Sequence, residues 1–254
     1  MKWLAKGLLS ASIALGSVAG VKGDEKGAVD IVDKAIKAMG GEENLAKVKA
    51  KTATWKSKGK LHFNEVESDF TSETNLEGLS RFRARFEGSF NGNTFTAITV
   101  LNGDKGWREF ADMVMELDAD GVKNEKRTIL LTVVPMTLVD LKTKDFKLES
   151  AGEEKVGDKP ADVIKATGPD GKSFKLSFDK ETSLPVKLVA DVVGFMGEEF
   201  TQETTFSSYK AIDGVQHASK VQSKRDGEPF VEMELTEFKL VDKLPEETFS
   251  APKP

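Results

Sequence analysis

Apolar and polar residues alternate with a period of two in run after run from Lys51 onward, and this pattern constrains the fold more than any other property of the chain. A strand that alternates in this way has one wet face and one dry face. Ala53, Trp55, Ser57, Gly59, Leu61 and Phe63 fall on one face, with Thr52, Thr54, Lys56, Lys58, Lys60 and His62 on the other. Phe82, Ala84 and Phe86 alternate with Arg81, Arg83 and Arg85, and Phe174, Leu176 and Phe178 with Ser173, Lys175 and Ser177. Further strands are expected over Thr94–Leu101, Trp107–Leu117, Ala161–Ala166, Val186–Val193, Phe200–Tyr209 and Val215–Ser223, and around Val231, Met233 and Leu235. Asn91-Gly92, Asn102-Gly103, Asp120-Gly121, Asp213-Gly214 and Asp226-Gly227 supply the turns, since tight hairpins need positive φ. So many half-dry strands in sequence must share one interior.

Two stretches depart from the alternation. Val29, Val32, Ile36 and Met39 recur at helical spacing up to Gly40-Gly41, and a second short helix is expected over Glu42–Val48. Thr128–Leu141 is apolar nearly all round with Pro135 in its middle, which predicts two short helical or irregular pieces.

Residues 1–23 have the composition of a secretion signal: Lys2 and Lys6, an apolar run from Leu8 to Val21, and small residues before candidate cleavage points after Ala19 or Gly23. Ser10, Ser12, Gly16 and Ser17 interrupt the run, which falls short of the ~20 apolar residues of a spanning helix. Residues 24–254 are expected to form one β domain, exported to the periplasm and without a transmembrane segment. There is no cysteine, so disulfides, thiolate catalysis and cysteine-bound zinc are excluded. Removing Lys2, Lys6 and Lys22 takes the net charge from −5 to −8, which argues against nucleic acid as a partner.

Four stretches, in this order, resemble the LolA-like superfamily of bacterial periplasmic proteins, in its outer-membrane lipoprotein-sorting branch. They are Ala35–Val48 (AIKAMGGEENLAKV), Asn102–Trp107 (NGDKGW), Val156–Val163 (VGDKPADV) leading to Phe178–Thr182, and Phe206–Tyr209 through Ile212–Val215 to the ending Phe249–Pro252. The family pattern has an aspartate where this chain has Ser208, and a proline near the start of the next strand that this chain lacks. The resemblance implies an open antiparallel half-barrel, with an N-terminal helix and short helices covering its concave mouth. It also implies an apolar concavity that holds lipid or acyl chains.

No catalytic residue is assigned. His62 and His217 lie in no hydrolase or metalloprotease motif. Asp118-Ala119-Asp120-Gly121 starts like a calcium loop, but no acid follows at the twelfth position, so it is read as a hairpin turn. No metal and no cofactor is expected. The ligand-binding candidates are the inward aromatic and apolar set Trp55, Leu61, Phe63, Phe82, Phe86, Phe95, Trp107, Phe174, Leu176 and Phe178. Leu130, Leu131, Val133, Val134 and Met136, with Phe195 and Met196 between Gly194 and Gly197, are expected to form a lid. Arg81, Arg83 and Arg85, with Lys56, Lys58 and Lys60, form a basic stripe suited either to an anionic surface or to plain solvation. The expected role is a non-enzymatic carrier of a lipid or acyl chain, capable of peripheral membrane contact. The alternative is a sensing or scaffold module, its concavity self-filled, that docks another envelope protein by an exposed strand edge.

Overall fold

A computed structural model describes residues 24–253, apart from the pairs 64–65, 91–92, 111–112 and 195–196. The expected leader, the Asn91-Gly92 turn, and Phe195 and Met196 lie outside the described residues.

The chain opens with α1 (Glu25–Met39) and α2 (Glu42–Ala50). Asp24 caps α1 by accepting from the Lys26 amide at 3.1 Å. Ala28, Val32, Ala35, Ile36 and Met39 form the buried stripe of α1. Gly40 (φ 126) ends it against the backbone of Gly214, where a Cβ would sit 2.2 Å from the carbonyl oxygen, so only glycine fits there. Six strands follow: β1 (Thr52–Phe63), β2 (Val66–Glu77), β3 (Arg81–Phe90), β4 (Asn93–Asn102), β5 (Lys105–Phe110) and β6 (Met113–Glu116). Helix α3 (Ala119–Thr137) and a 3-10 turn (Val139–Lys142) come next. Seven more strands complete the chain: β7 (Lys147–Val156), β8 (Lys159–Thr167), β9 (Ser173–Asp179), β10 (Pro185–Val193), β11 (Glu199–Ile212), β12 (Val215–Arg225) and β13 (Glu228–Val241).

All strands join one 13-stranded sheet in the order β6-β5-β4-β3-β2-β1-β13-β12-β11-β10-β9-β8-β7, with every pairing antiparallel. The chain meanders from β1 out to the β6 edge, crosses through α3 to the opposite edge at β7, and meanders back until β13 pairs with β1. The two edges do not meet, so the sheet is open. It is also strongly curled. Helix α3 touches both β5 and β10, eight positions apart in strand order, or ~38 Å along a flat sheet. A 19-residue helix is only ~28 Å long, so the sheet must bend around it. The architecture is an open antiparallel half-barrel with three helices in and at the end of its concavity.

The structure departs from the sequence reading in three places. β2 is absent from the alternation pattern because its dry face is largely hydroxylic: Ser68, Ser72 and Thr74, with Phe70 and Leu76 among them, alternate with polar residues including Glu67, Asp69 and Glu73. Those inward hydroxyls are satisfied locally, Ser72 by Ser57 at 2.8 Å and Ser68 by the Ser89 carbonyl. The expected strand Trp107–Leu117 is a hairpin of β5 and β6. Asp118 is not in a turn between strands but caps α3, accepting from the Gly121 amide at 2.8 Å. α3 itself is one continuous helix carrying Pro135 in its last turn, where the missing N–H leaves only the Leu131 carbonyl without its helical donor.

Candidate functional site

Register decides which side chains face the hollow. β1 pairs Trp55 with Phe238 of β13, and β12 pairs Val221 with Met233 and Ser223 with Val231. β11 pairs Gln202 with Arg225, Thr204 with Ser223 and Phe206 with Val221 of β12, and β10 sets Leu188 opposite Thr204. These residues line a cavity of about 350 Å³ whose far wall is Thr128, Leu131, Thr132, Pro135 and Met136 of α3. The i, i+3, i+4, i+7, i+8 spacing of those five gives α3 one cavity-facing stripe.

Two part-buried ion pairs hold α3 in place. Arg108 of β5 donates from Nε to Glu125 at 2.9 Å, and Arg127 donates to Asp170 Oδ2 at 3.1 Å and to the Ser173 carbonyl at 2.8 Å. Arg127 also lies over the Phe174 ring at 5.7 Å. The first half of α3 is therefore a fixed wall. On α3 the lining residues Thr128 and Thr132 are exposed and mark the open side of the hollow.

The cavity has two ends. Met39 of α1, Trp55, His217 and Phe238 close the buried one. His217 stacks on Phe238 with ring centroids 4.1 Å apart; its Nε2 is buried without a hydrogen-bond partner. Burial pushes its pKa down to about 4, against a smaller upward pull from Asp213, so the imidazole is neutral near pH 7. Tyr209 donates its hydroxyl to the Pro185 carbonyl at 2.7 Å, and burial holds that hydroxyl well above its ordinary pKa. The opposite end carries Gln202, Arg225 and Phe230. Eight residues of β12 separate His217 from Arg225, about 27 Å at the rise of a strand.

Of the sequence candidates, Trp55, Leu131 and Met136 line this cavity. Leu61, Phe82, Phe86 and Phe95 share the concave face in register but lie on the other side of α3. There Phe70, Phe86, Phe95 and Phe110 stack at centroid separations of 4.4, 5.9 and 5.8 Å. Phe174, Leu176 and Phe178 are packed core, as are Leu130, Val133 and Val134. The side chain of Phe63, at the end of β1, is outside the description.

Trp107 does not share the concave face. It pairs with Val100, opposite Arg83 on β3, which puts it on the convex side. There Ile98 and Val100 are buried near the 3-10 turn Glu246–Phe249, which packs on β3 and β4. Arg81 fixes that turn through Glu246 at 2.7 Å and lies 4.5 Å over the fully buried Phe249 ring. The expected basic stripe is on the same convex face, interleaved with acids: Lys56 lies between Glu73 and Glu237, Lys60 pairs with Glu67 at 2.6 Å, and Arg85 with Glu87 at 2.5 Å. A surface so neutralised has little long-range field.

Sequence reasoning located strands β10–β13 but missed their cavity residues, Leu188, Val192, Phe206, Val221, Met233, Leu235 and Arg225 among them. The available signal was an arginine on the inward parity of β12, in step with Val215, His217 and Val221.

Among the described residues no group of three or more His, Asp or Glu could hold a metal ion, and no helix is long and apolar enough to cross a membrane. The curled open sheet and its helix-walled hollow define a LolA-like fold. Solved structures carry the same architecture. A LolA superfamily protein from Nitrosomonas europaea superposes with a TM-score of 0.55 at 13% identity, over 88% of this chain and 97% of that one. A putative outer membrane lipoprotein-sorting protein domain from Vibrio parahaemolyticus gives 0.54 at 11% identity, over 89% and 97%. A DUF1329 family protein from Desulfovibrio piger gives 0.52 at 13%, over 88% and 97%. No protein-family profile matches the chain, and no curated protein matches it.

Proposed function

We propose that this chain is an exported, non-enzymatic carrier or binding protein that holds one lipid-like apolar chain in the hollow between α3 and strands β10–β13. The observation that carries the reading is the unfilled cavity of about 350 Å³ with a mainly apolar lining. At ~30 Å³ for a water-sized group, it has room for roughly a dozen methylene-sized groups, hence a single chain. Ten methylenes at ~0.8 kcal/mol each contribute about 8 kcal/mol, from which association costs are subtracted. The net affinity is modest and the ligand can leave, which suits transfer. The leader-like residues 1–23 support export, and the printed name of the Vibrio structure, a lipoprotein-sorting domain, is consistent with an acylated cargo.

The test is native mass spectrometry and organic extraction of the full chain recovered from the periplasm, followed by titration with a fluorescent fatty acid. Co-purifying fatty acid or phospholipid, with saturable uptake by the emptied protein, is the expected result. A clean unliganded mass with no uptake overturns the carrier.

A second reading, docking of another envelope protein at the β6 edge, is favoured by one observation. Phe110, Met113 and Met115 are 41%, 64% and 46% exposed beside that free edge, and an open strand edge can accept a partner strand. Capture of a partner chain that is lost when Met113 and Met115 become lysine would favour this reading.

A further inference from the structure

We propose that the ligand of this hollow ends in a carboxylate, and that Arg225 is the residue that receives it. This rests on the reading above, that the hollow takes an apolar chain. Among the described residues lining the cavity, Arg225 carries the sole charge: there is no lysine, no aspartate and no glutamate, and His217 is neutral. A lone cation on an apolar wall is costly unless something pairs with it. Elsewhere in the chain Arg81, Arg85, Arg108 and Arg127 each have a carboxylate within ion-pair distance, while Arg83, on the convex face, lies only in the field of Glu109 and Glu73. Among the described residues Arg225 has none. The carboxylate whose field reaches it is Glu198, beyond contact.

The guanidinium is also built into place. Its Nε donates to Gln202 Oε1 at 3.1 Å, and Gln202 in turn donates from Nε2 to Thr204 Oγ1 at 3.3 Å. The Phe230 ring centroid lies 3.6 Å from Arg225 Cζ, and the Phe200 ring 5.0 Å away. Aromatic stacking and a committed Nε fix the plane of the group, while no hydrogen bond among the described residues engages Nη1 or Nη2. Two parallel donors in a fixed plane match a carboxylate. One cation, partly opposed by Glu198, suits one negative charge and not the two that a phosphate monoester carries at neutral pH. From Arg225 the hydrocarbon runs into the apolar hollow along Val221 and Met233.

The experiment compares decanoic acid with 1-decanol by calorimetry at neutral pH on the full, delipidated protein. A charge-assisted hydrogen bond predicts the acid to bind at least about tenfold more tightly. Arg225→Gln should erase that preference by weakening acid binding at least about tenfold more than decanol binding, and Arg225→Lys, which keeps the charge without the fork, should retain part of it. Equal binding of acid and alcohol to the unaltered protein overturns the proposal whether or not the variants fold, and so does a preference that survives Arg225→Gln. Decyl phosphate binding more tightly than decanoic acid overturns the carboxylate assignment. Binding of none of the three probes overturns the apolar-chain reading itself, and this one with it.

Discussion

His217 makes the stability of the hollow depend on pH in a way that can be isolated. The residue is 4% exposed, its ring stacked on Phe238. Its pKa falls from 6.5 to about 4, chiefly because burial disfavours the imidazolium, with Asp213 pulling the other way. The unfolded chain takes up a proton on this residue below about pH 6.5, while the folded chain does not until about pH 4. Between those values the unfolded state holds more protons, so stability falls as pH falls. Each pH unit across that window is worth about 1.4 kcal/mol, which puts the loss between pH 7 and pH 4 at roughly 3 kcal/mol. Above pH 6.5 the residue is neutral in both states and has no effect. His217→Phe keeps a ring against Phe238 and removes the titration. It also removes the orphaned Nε2, so the variant should be no less stable than the parent at neutral pH.

Urea unfolding of both proteins at pH 7, 6, 5 and 4 measures the effect, since the other titrating groups cancel in the difference. The gap between the two stability curves should open in the variant's favour by roughly 3 kcal/mol as pH falls from 7 to 4. Parallel curves would refute the assignment of a buried, neutral histidine at the end of the hollow.

Three further outcomes follow from the same packing. Val221→Trp places a large ring inside the cavity and should abolish fatty-acid uptake while far-UV circular dichroism stays unchanged; undiminished uptake would put the ligand elsewhere. Phe249→Ala removes a fully buried ring on the convex face and should cost about 3–5 kcal/mol by urea denaturation with fatty-acid affinity unchanged, because that face is remote from the hollow. In hydrogen–deuterium exchange, bound fatty acid should slow amides around Leu131–Met136 and Val192–Gly194 more than those of β3 and β4. Uniform slowing would mean general stabilisation, and no change would remove any lid role for these segments.

The sheet was legible where the dry face is apolar and the turns carry glycine. β1, β3, β9 and the β11–β13 meander show both signals. β2 shows neither clearly, because three of its inward positions are serine and threonine, Ser72 and Ser68 bonded to a neighbouring hydroxyl and carbonyl, with only Phe70 and Leu76 apolar among them. α3 was legible only in its second half. Its first turn depends on Asp118, whose Asp-x-Asp-Gly context reads equally well as a turn until the Gly121 amide is seen to close the cap. The alternation groups Trp107 with the inward aromatics, whereas its register with Val100, opposite Arg83, puts it on the convex side. The convex side has a small core of its own, with Ile98 and Val100 buried and the C-terminal turn packed on the same strands.

The two sides of α3 carry different inward residues. On one side of α3, Phe70, Phe86, Phe95 and Phe110 stack on one another, with the Phe95 ring lying over Gly88. In that half of the concavity Phe70 is buried and Phe86 and Phe95 are half-buried by these ring contacts. On the other side the inward positions of β11 and β12 are mixed, Phe206 standing among the shorter Gln202, Thr204, Val221 and Ser223. They cannot reach across to α3, and the Arg108–Glu125 and Arg127–Asp170 pairs keep α3 from settling onto them. A hollow forms where inward residues are too small to meet the element opposite and that element is pinned at a fixed height. The sequence cue for this site is a shortfall of inward volume along β11 and β12 next to a single inward cation, Arg225.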